Sequence, residues 1–179
     1  PRMAAKTKQF YERYPIDIER VVAVADILQS RKVTLPNGDP LTVERFQCLG
    51  SDFGMKPSFE RVHWILDQAF LDGDGSASTS AELSDEFLSS VMEATSSRPL
   101  YWPLQEFIYA NGELKTPICW AAQRVRGEHP EFAGDICPLN FTGEAMFPWM
   151  FEQERALRPF KPAMDVLMED THFGTIYDA

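Results

Sequence analysis

Residues 58–71 read SFERVHWILDQAFL and decide the fold class of the chain. Their apolar side chains recur three and four positions apart, which is the spacing of one face of an α-helix. A serine at the start of such a run is a common N-cap. The stretch therefore predicts a helix that begins after Ser58 and runs to about Leu71. Its predicted core face is Phe59, Val62, Ile65, Leu66, Ala69 and Phe70.

Helical signals continue on both sides of this stretch. Apolar residues recur at helical spacing between Pro15 and Lys32, and proline suits the first turn of a helix. Thr42 resembles an N-cap with Glu44 in the first turn, and Ser84 is followed by acidic residues. The Ser84 helix is predicted to run to about residue 94. Further helices are predicted at about 100–110, 117–127, 143–155 and 160–169.

Prolines and turns limit the length of these helices. Pro103, Pro148, Pro159 and Pro162 fall in or beside the later helices, and residues 35–40 have the composition of a turn. No segment shows the sustained alternation that is typical of a half-buried strand. The chain is therefore predicted to be all-α, an irregular multi-helix assembly in which any strand is a short piece near a terminus.

A run of small polar residues interrupts the helical pattern. Residues 72–75 imitate the start of a calcium-binding loop, but Ala77 stands where that loop needs glycine and Leu83 where it needs a bidentate glutamate. The segment at about 72–81 is therefore predicted to be a flexible surface loop without a metal. With this loop included, residues 1–179 are predicted to form a single helical domain.

Composition excludes several classes of partner. The 179 residues carry a formal net charge of −10, and phosphate binding needs clustered cations, so nucleic acid is not an expected partner. No apolar run has the length of a membrane span. Cys48, Cys119 and Cys137 form no metal-binding pattern and are predicted to be buried thiols of a cytoplasmic protein.

The sequence contains no recognisable catalytic machinery. Serine hydrolases of the α/β type place their nucleophile in a G-x-S-x-G turn, and residues 50–54 hold glycine, serine and glycine at the wrong spacing. His63, His129 and His172 have no activated serine or cysteine near them in sequence, so structural or solvated roles are expected for them. We therefore predict no catalytic residue in this chain.

Two glutamates lie among dense aromatic residues. If the helix continues through Pro103, then Trp102, Glu106 and Tyr109 share one face. Phe147 follows Glu144 three positions later, and a second phenylalanine follows at the seventh position. A carboxylate flanked by rings suits a compact apolar cation. The alternative is that the rings belong to the core and the glutamates point to water.

Seven short runs of residues resemble one known family, and they occur in that family's order along nearly the whole chain, from about Tyr11 to Tyr177. The family is that of the larger proline iminopeptidases, or prolyl aminopeptidases, and the similar region is their cap. The runs are residues 11–15 (YERYP), 35–42 (LPNG with LT), 59–67 (FERVHWILD), 104–109 (LQEFIY), 120–122 (WAA), 141–151 (FTGE with PWMF) and 156–160 (ALRPF).

The resemblance implies a cap domain inserted in an α/β-hydrolase fold whose core is absent from this chain. The catalytic serine of the family precedes the cap, and its aspartate and histidine follow it. The cap roofs the active site, and its glutamates bind the free amino group of an N-terminal proline. The expected partners are such a peptide and the hydrolase core of the same parent chain, with no metal or organic cofactor.

Residue by residue, the resemblance assigns the amine-binding role to Glu106, with Glu144 as the better candidate for the second carboxylate and Glu152 as its rival. The rings of Trp102, Tyr109 and Phe147 complete the expected substrate-binding set. Residues 171–174 depart from the family pattern. Two alternatives remain: a free-standing helical interaction module, or the cap of a hydrolase that acts on other small amides or esters.

Overall fold

The computed structural model describes residues 2–55, 58–70, 82–109 and 112–173, with side chains described only to residue 105 in the helix that ends at 109. Within these ranges the chain is mostly helical, as the sequence predicts. The elements in chain order are α1 (Arg2–Arg13), α2 (Ile16–Ser30), β1 (Val33–Thr34), β2 (Pro40–Leu41), α3 (Val43–Gln47), α4 (Phe59–Asp67), α5 (Asp85–Ser96), α6 (Tyr101–Tyr109), α7 (Ala121–Gly127), α8 (Met150–Gln153) and α9 (Lys161–Glu169). Short 3-10 helices cover Cys48–Gly54, Pro130–Phe132 and Arg158–Phe160.

Two of the predicted caps are confirmed by their hydrogen bonds. The Thr42 hydroxyl accepts the Arg45 N–H at 3.2 Å at the start of α3, and the Ser84 hydroxyl accepts the Phe87 N–H at 3.0 Å at the start of α5. The predicted cap at Ser58 is wrong, since the Ser58 backbone is helical and its side chain makes no capping hydrogen bond. Helix α4 ends at Asp67, short of the predicted end at Leu71, which lies outside the described residues.

The strand prediction is wrong in position. Strands β1 and β2 form a two-stranded antiparallel hairpin in which Val33 pairs with Leu41, far from either terminus. Gly38 has φ +88 in the connecting turn, a conformation that residues with a Cβ rarely adopt. The Leu35 N–H donates to Asp39 across the same turn. The predicted turn thus closes a hairpin, because its two short arms bond to each other.

Helix α1 was not predicted, since the sequence assignment begins at Pro15. Its buried side chains are Thr7, Phe10 and Tyr11, at the spacing of one helical face. The predicted loop at about 72–81 lies outside the described residues. The cysteine prediction holds for Cys48, which is buried, and is wrong for Cys119 and Cys137, which are exposed.

The described residues form two compact units, and whether they fold as the predicted single domain stays a prediction. Unit 1 contains residues 1–97 and 129–145. Its core is rich in phenylalanine, and neighbouring rings meet edge to face, as between Phe53 and Phe141 with centroids 5.4 Å apart. The fully buried rings of this core are Phe10, Phe46, Phe53, Phe87 and Phe141.

Unit 1 also buries charged side chains with their partners. The Arg45 guanidinium is fully buried, lies 3.3 Å from the Asp39 carboxylate and donates to the hydroxyls of Thr95 and Ser96. Such a pair avoids the cost of an isolated buried charge only because each hydrogen-bonding group has a partner. The network connects the hairpin turn, α3 and the end of α5 within unit 1.

Unit 2 contains residues 98–128 and 146–179. Its described helices are short, and they are joined by backbone hydrogen bonds from loop to loop, such as Leu114 N–H to Thr171 O at 2.8 Å and Phe173 N–H to Gly112 O at 2.8 Å. Its buried side chains combine methionine with aromatic rings. They include Met146, Phe147, Met150, Phe151, Leu157, Met164 and Met168.

Candidate functional site

Helix α6 carries the first predicted cluster. It runs through Pro103 without a break, because proline in the first turn removes an N–H that has no helical acceptor there. Trp102 is buried, with 9% of its surface exposed. The backbone places Glu106 and Tyr109 on α6, but their side chains lie outside the described part of the chain. The shared face of Trp102, Glu106 and Tyr109 therefore stays a prediction.

Glu144 is an exposed residue close to an anchored segment of unit 1. The Phe141 N–H donates to the Thr7 hydroxyl at 3.1 Å, and the Thr142 N–H donates to Gln47 O at 2.9 Å. The ring of Phe141 is fully buried in the phenylalanine core. Glu144 thus presents its carboxylate at the surface, two residues beyond a backbone that is fixed by hydrogen bonds and packing.

The helix predicted at 143–155 is wrong for most of its length. Only Met150–Gln153 form α8, and residues 143–147 have no helical hydrogen bonding. Pro148 cannot donate a backbone hydrogen bond and disfavours a helical conformation at the residue before it, so the helix starts after it. Glu144 and Phe147 consequently do not share a helical face, and they belong to different compact units.

Phe147 is a core residue of unit 2 and not an open ring. Only 2% of its surface is exposed. The Trp149 ring stacks on it with centroids 5.8 Å apart and an interplanar angle of 13°, and the Arg126 guanidinium lies 5.6 Å from the Phe147 centroid. These neighbours cover the ring, so its burial agrees with the alternative that this aromatic belongs to the core.

Glu152 is exposed on α8 and already has a cation nearby. Lys161 Nζ lies 3.9 Å from Glu152 Oε1 and makes a closer pair, at 2.8 Å, with Asp165. The hydrogen bond to Asp165 raises the pKa of Lys161 above its usual value, with smaller contributions from the charges of Asp165 and Glu152. A lysine that stays charged beside Glu152 would compete with an incoming ammonium for that carboxylate.

A left-handed corner at Cys119 and Trp120 was missed by the sequence analysis. Both residues have positive φ, at 46° and 52°, and they are the two non-glycine residues with this property in the described ranges. The conformation costs roughly 1–2 kcal/mol for a residue with a Cβ. The half-buried Trp120 ring packs on Phe151 with centroids 5.7 Å apart. Nothing in the local pattern signals such a corner, because no glycine or asparagine marks it.

Comparison with known proteins identifies the relatives of this chain. No protein-family profile matches it. Over 180 residues, 99% of this chain, it is 38% identical to a proline iminopeptidase of Aeromonas sobria. It is 30% identical over 177 residues to the proline iminopeptidase aneH of Aspergillus aculeatus.

The resemblance to proline iminopeptidases is confirmed. The alignments with the two proline iminopeptidases cover nearly all of this chain but only 40% and 38% of those proteins. The chain therefore matches a segment of these two relatives, which is consistent with a cap. The mostly helical fold is consistent with that assignment.

Other features of the described residues do not add to the predicted site. An open groove of about 1030 Å³ in unit 1 lies between the end of α2, the hairpin and residues 134–135, and none of the predicted site residues lines it. In the part of the chain that the structure describes, no three His, Cys, Asp or Glu side chains form a metal-binding group. None of the described helices is long and apolar enough to cross a membrane.

Proposed function

We propose that this chain is the substrate-recognition lid of a serine exopeptidase that releases N-terminal proline from peptides. The observation that carries the proposal is the similarity of almost the whole chain to a part of two proline iminopeptidases. A lid of this kind roofs an α/β-hydrolase active site and carries no catalytic residue. The acyl-enzyme would form on a serine of the hydrolase core.

The lid's chemical contribution is selection of a free amino terminus. A carboxylate about 3 Å from an ammonium gains roughly 5 kcal/mol at an effective dielectric constant near 20, before the cost of desolvation is subtracted. An internal peptide bond has no such charge and forfeits this interaction. The lid therefore favours substrates that begin with a compact residue whose free amino group is charged, and it disfavours internal cleavage.

Glu106 and Glu144 are the proposed amine-binding carboxylates. Glu106 is proposed because of its position in the run LQEFIY, which resembles the corresponding run of the family. Glu144 is favoured over Glu152 by one observation: it is exposed close to the anchored backbone at Phe141 and Thr142. A carboxylate close to an anchored backbone loses less conformational entropy when it binds the ammonium than one on a mobile segment.

The test compares glutamine variants of the full-length enzyme on two substrates. Glu106→Gln and Glu144→Gln keep the size of the side chain and remove its charge. We expect each to lower kcat/KM for a prolyl amide with a free amino group. The decrease should correspond to a loss of about 2–4 kcal/mol in transition-state stabilisation, the range for removing one partner of a desolvated charge pair. Hydrolysis of a small neutral ester should change less than threefold, because it has no ammonium to bind.

Glu152→Gln is the matched control, since it makes the same change at an exposed glutamate of α8. We expect it to change neither substrate by more than about 0.5 kcal/mol. Equal losses for the amide and the ester in Glu106→Gln or Glu144→Gln would contradict the amine-binding role. A wild-type enzyme that hydrolyses small esters or other amides but not prolyl amides would instead favour the alternative hydrolase.

The isolated chain provides a second test. Because it has no nucleophile elbow, it has no oxyanion hole, and aromatic side chains cannot replace one. We expect purified chain to hydrolyse neither prolyl amides nor simple esters above a matched blank. Turnover that co-purifies with the chain through several steps would refute its assignment as a lid without catalytic residues.

A further inference from the structure

Trp120 occupies a conformation that its sequence does not favour. Its φ and ψ are 52° and 53°, and it follows Cys119, whose φ is 46°. Glycine adopts this region freely, whereas a bulky aromatic residue is an outlier there. Strained backbone of this kind persists only where its surroundings hold it, and it is enriched at functional sites.

Residues of unit 2 hold the corner on three sides. The Arg124 Nη1 atom donates to the carbonyl oxygens of Ile118 and Cys119, at 2.8 and 2.9 Å. The Cys119 N–H donates to Met168 O at 2.9 Å. The Trp120 carbonyl accepts the Gln123 N–H at 2.9 Å and so starts α7. The corner is therefore fixed by one arginine side chain and by backbone bonds on either side.

The corner places an aromatic ring where a ligand can touch it. Trp120 lies against the buried Phe151 ring and remains half-buried, whereas Phe147 is covered by Trp149 and Arg126. The open ring surface of Trp120 is the kind of surface that packs on a small apolar ring and attracts a cation to its face. The N-terminal residue of a prolyl substrate has both properties.

We propose that Trp120 is a specificity-determining contact for the apolar, cationic N-terminal residue of the substrate, and that Arg124 is the residue that positions it. This inference rests on the proposed function. In the set of expected aromatic contacts, Trp120 replaces Phe147, which is buried. Arg124 acts through the backbone at Ile118 and Cys119 and does not touch the substrate.

The experiment uses the full-length enzyme with a prolyl amide, an alanyl amide and a small neutral ester. Trp120→Leu should raise KM for the prolyl amide at least tenfold, change kcat less than threefold, and leave the ester within twofold. Trp120→Phe, which keeps a ring, should stay within threefold of wild type. The alanyl amide offers less apolar surface, so its KM should rise less than that of the prolyl amide.

Arg124→Ala should raise KM for the prolyl amide three- to tenfold, and Arg124→Lys, which keeps one donor, should recover most of that loss. Gln123→Ala, an exposed neighbour on α7, is the control and should behave as wild type. If Trp120→Leu lowers the melting temperature markedly, a fluorescence titration takes the place of the kinetic test with that variant. Prolinamide should quench the tryptophan emission of the wild type, and most of that quenching should be absent in Trp120→Phe.

The outcomes separate this inference from the proposed function. An unchanged KM in Trp120→Leu, with the expected loss in Glu144→Gln, would overturn the role of Trp120 and leave the lid assignment standing. Equal losses for the amide and ester substrates in the Trp120 and Arg124 variants would mean that these residues have a structural role only. A wild-type enzyme without prolyl amidase activity would overturn the proposed function itself.

Discussion

Units 1 and 2 stabilise their folds by different means. Unit 1 packs phenylalanine rings edge to face and pairs each of its buried arginines with an aspartate, Arg45 with Asp39 and Arg20 with Asp17. Unit 2 combines methionines with half-buried tryptophans and keeps a left-handed corner. It also buries an indole nitrogen of Trp149 and an amide oxygen of Gln153 that have no hydrogen-bond partner, whereas the buried Asp52 carboxylate of unit 1 lies 3.4 Å from Arg61 Nε.

The difference indicates that the two units are built for different roles, unit 1 for stability and unit 2 for substrate recognition. Precisely packed aromatic rings and paired charges specify one arrangement, whereas methionine is flexible and fills irregular spaces. Strain and unpaired polar groups lower stability and are tolerated where function requires them. We therefore expect substitutions in unit 1 to cost stability, and substitutions at the corner of unit 2 to alter substrate recognition at little cost in stability.

Breaking the buried ion pair of unit 1 should have the largest effect. Arg45→Met leaves the buried Asp39 carboxylate without its cation and should lower the free energy of unfolding by about 3–5 kcal/mol. Urea denaturation measures the change. Arg45→Met combined with Asp39→Asn should recover part of the loss, since no charge remains buried. The control Arg13→Met, at an exposed pair with Glu60, should cost less than about 1 kcal/mol.

A close backbone contact in unit 1 predicts the next effect. A Cβ added to Gly50 would lie 2.3 Å from the Thr142 carbonyl oxygen and 2.6 Å from the Phe141 Cβ. Gly50→Ala should therefore destabilise the protein by about 3 kcal/mol, because the segment that leads to Glu144 must move. Gly54→Ala is the control, since nothing lies within 4 Å of its added Cβ. Equal melting temperatures for the two variants would contradict the packing.

A buried tyrosine of unit 1 predicts a dependence on alkaline pH. Burial raises the pKa of Tyr11 far above its ordinary value of 10.0, with a smaller contribution from the charge of Asp17, and its hydroxyl donates to Leu139 O at 2.7 Å. A raised folded-state pKa favours the protonated form, so its stabilising contribution is complete below pH 10 and declines as pH rises above it.

Tyr11→Phe should remove this alkaline decline and cost about 1 kcal/mol at neutral pH, the usual value of one hydrogen bond. Urea denaturation from pH 7 to 11 measures both effects. The same decline in Tyr11→Phe as in wild type would mean that another group causes it. Tyr14→Phe, at a partly exposed tyrosine, is the control and should keep the decline of wild type.

Relief of backbone strain in unit 2 should have the smallest effect on the free energy of unfolding. Unlike the substitutions in unit 1, it should not destabilise the protein. Cys119 is exposed and has φ +46, so Cys119→Gly should leave the stability unchanged or raise it by up to about 1 kcal/mol. Lys115→Gly, at an exposed residue of the same unit with negative φ, should lower it by a few tenths to about 1 kcal/mol. Equal destabilisation by both variants would show that the corner carries no strain.

The sequence by itself determined the features that depend on near neighbours. The starts of α3 and α5 follow from Thr42 and Ser84, because an N-cap bonds to a backbone N–H only three residues away. The buried face of α4 follows from the spacing of Val62, Ile65 and Leu66. The relationship to proline iminopeptidases also follows from short runs of residues in a fixed order.

Tertiary structure decided the features that need distant partners. Residues 143–147 have apolar spacing, but the hydrogen bonds of Phe141 and Thr142 to Thr7 and Gln47 hold the preceding backbone and Pro148 delays the next helix. Phe147 is buried because Arg126 and Trp149 cover it.

Trp120 adopts a left-handed conformation because Arg124 and Met168 bond to the backbone beside it. Local spacing shows which residues can share a face. Which face is covered, and which strained turn is held, depends on contacts between residues far apart in the chain, and only the folded structure contains them.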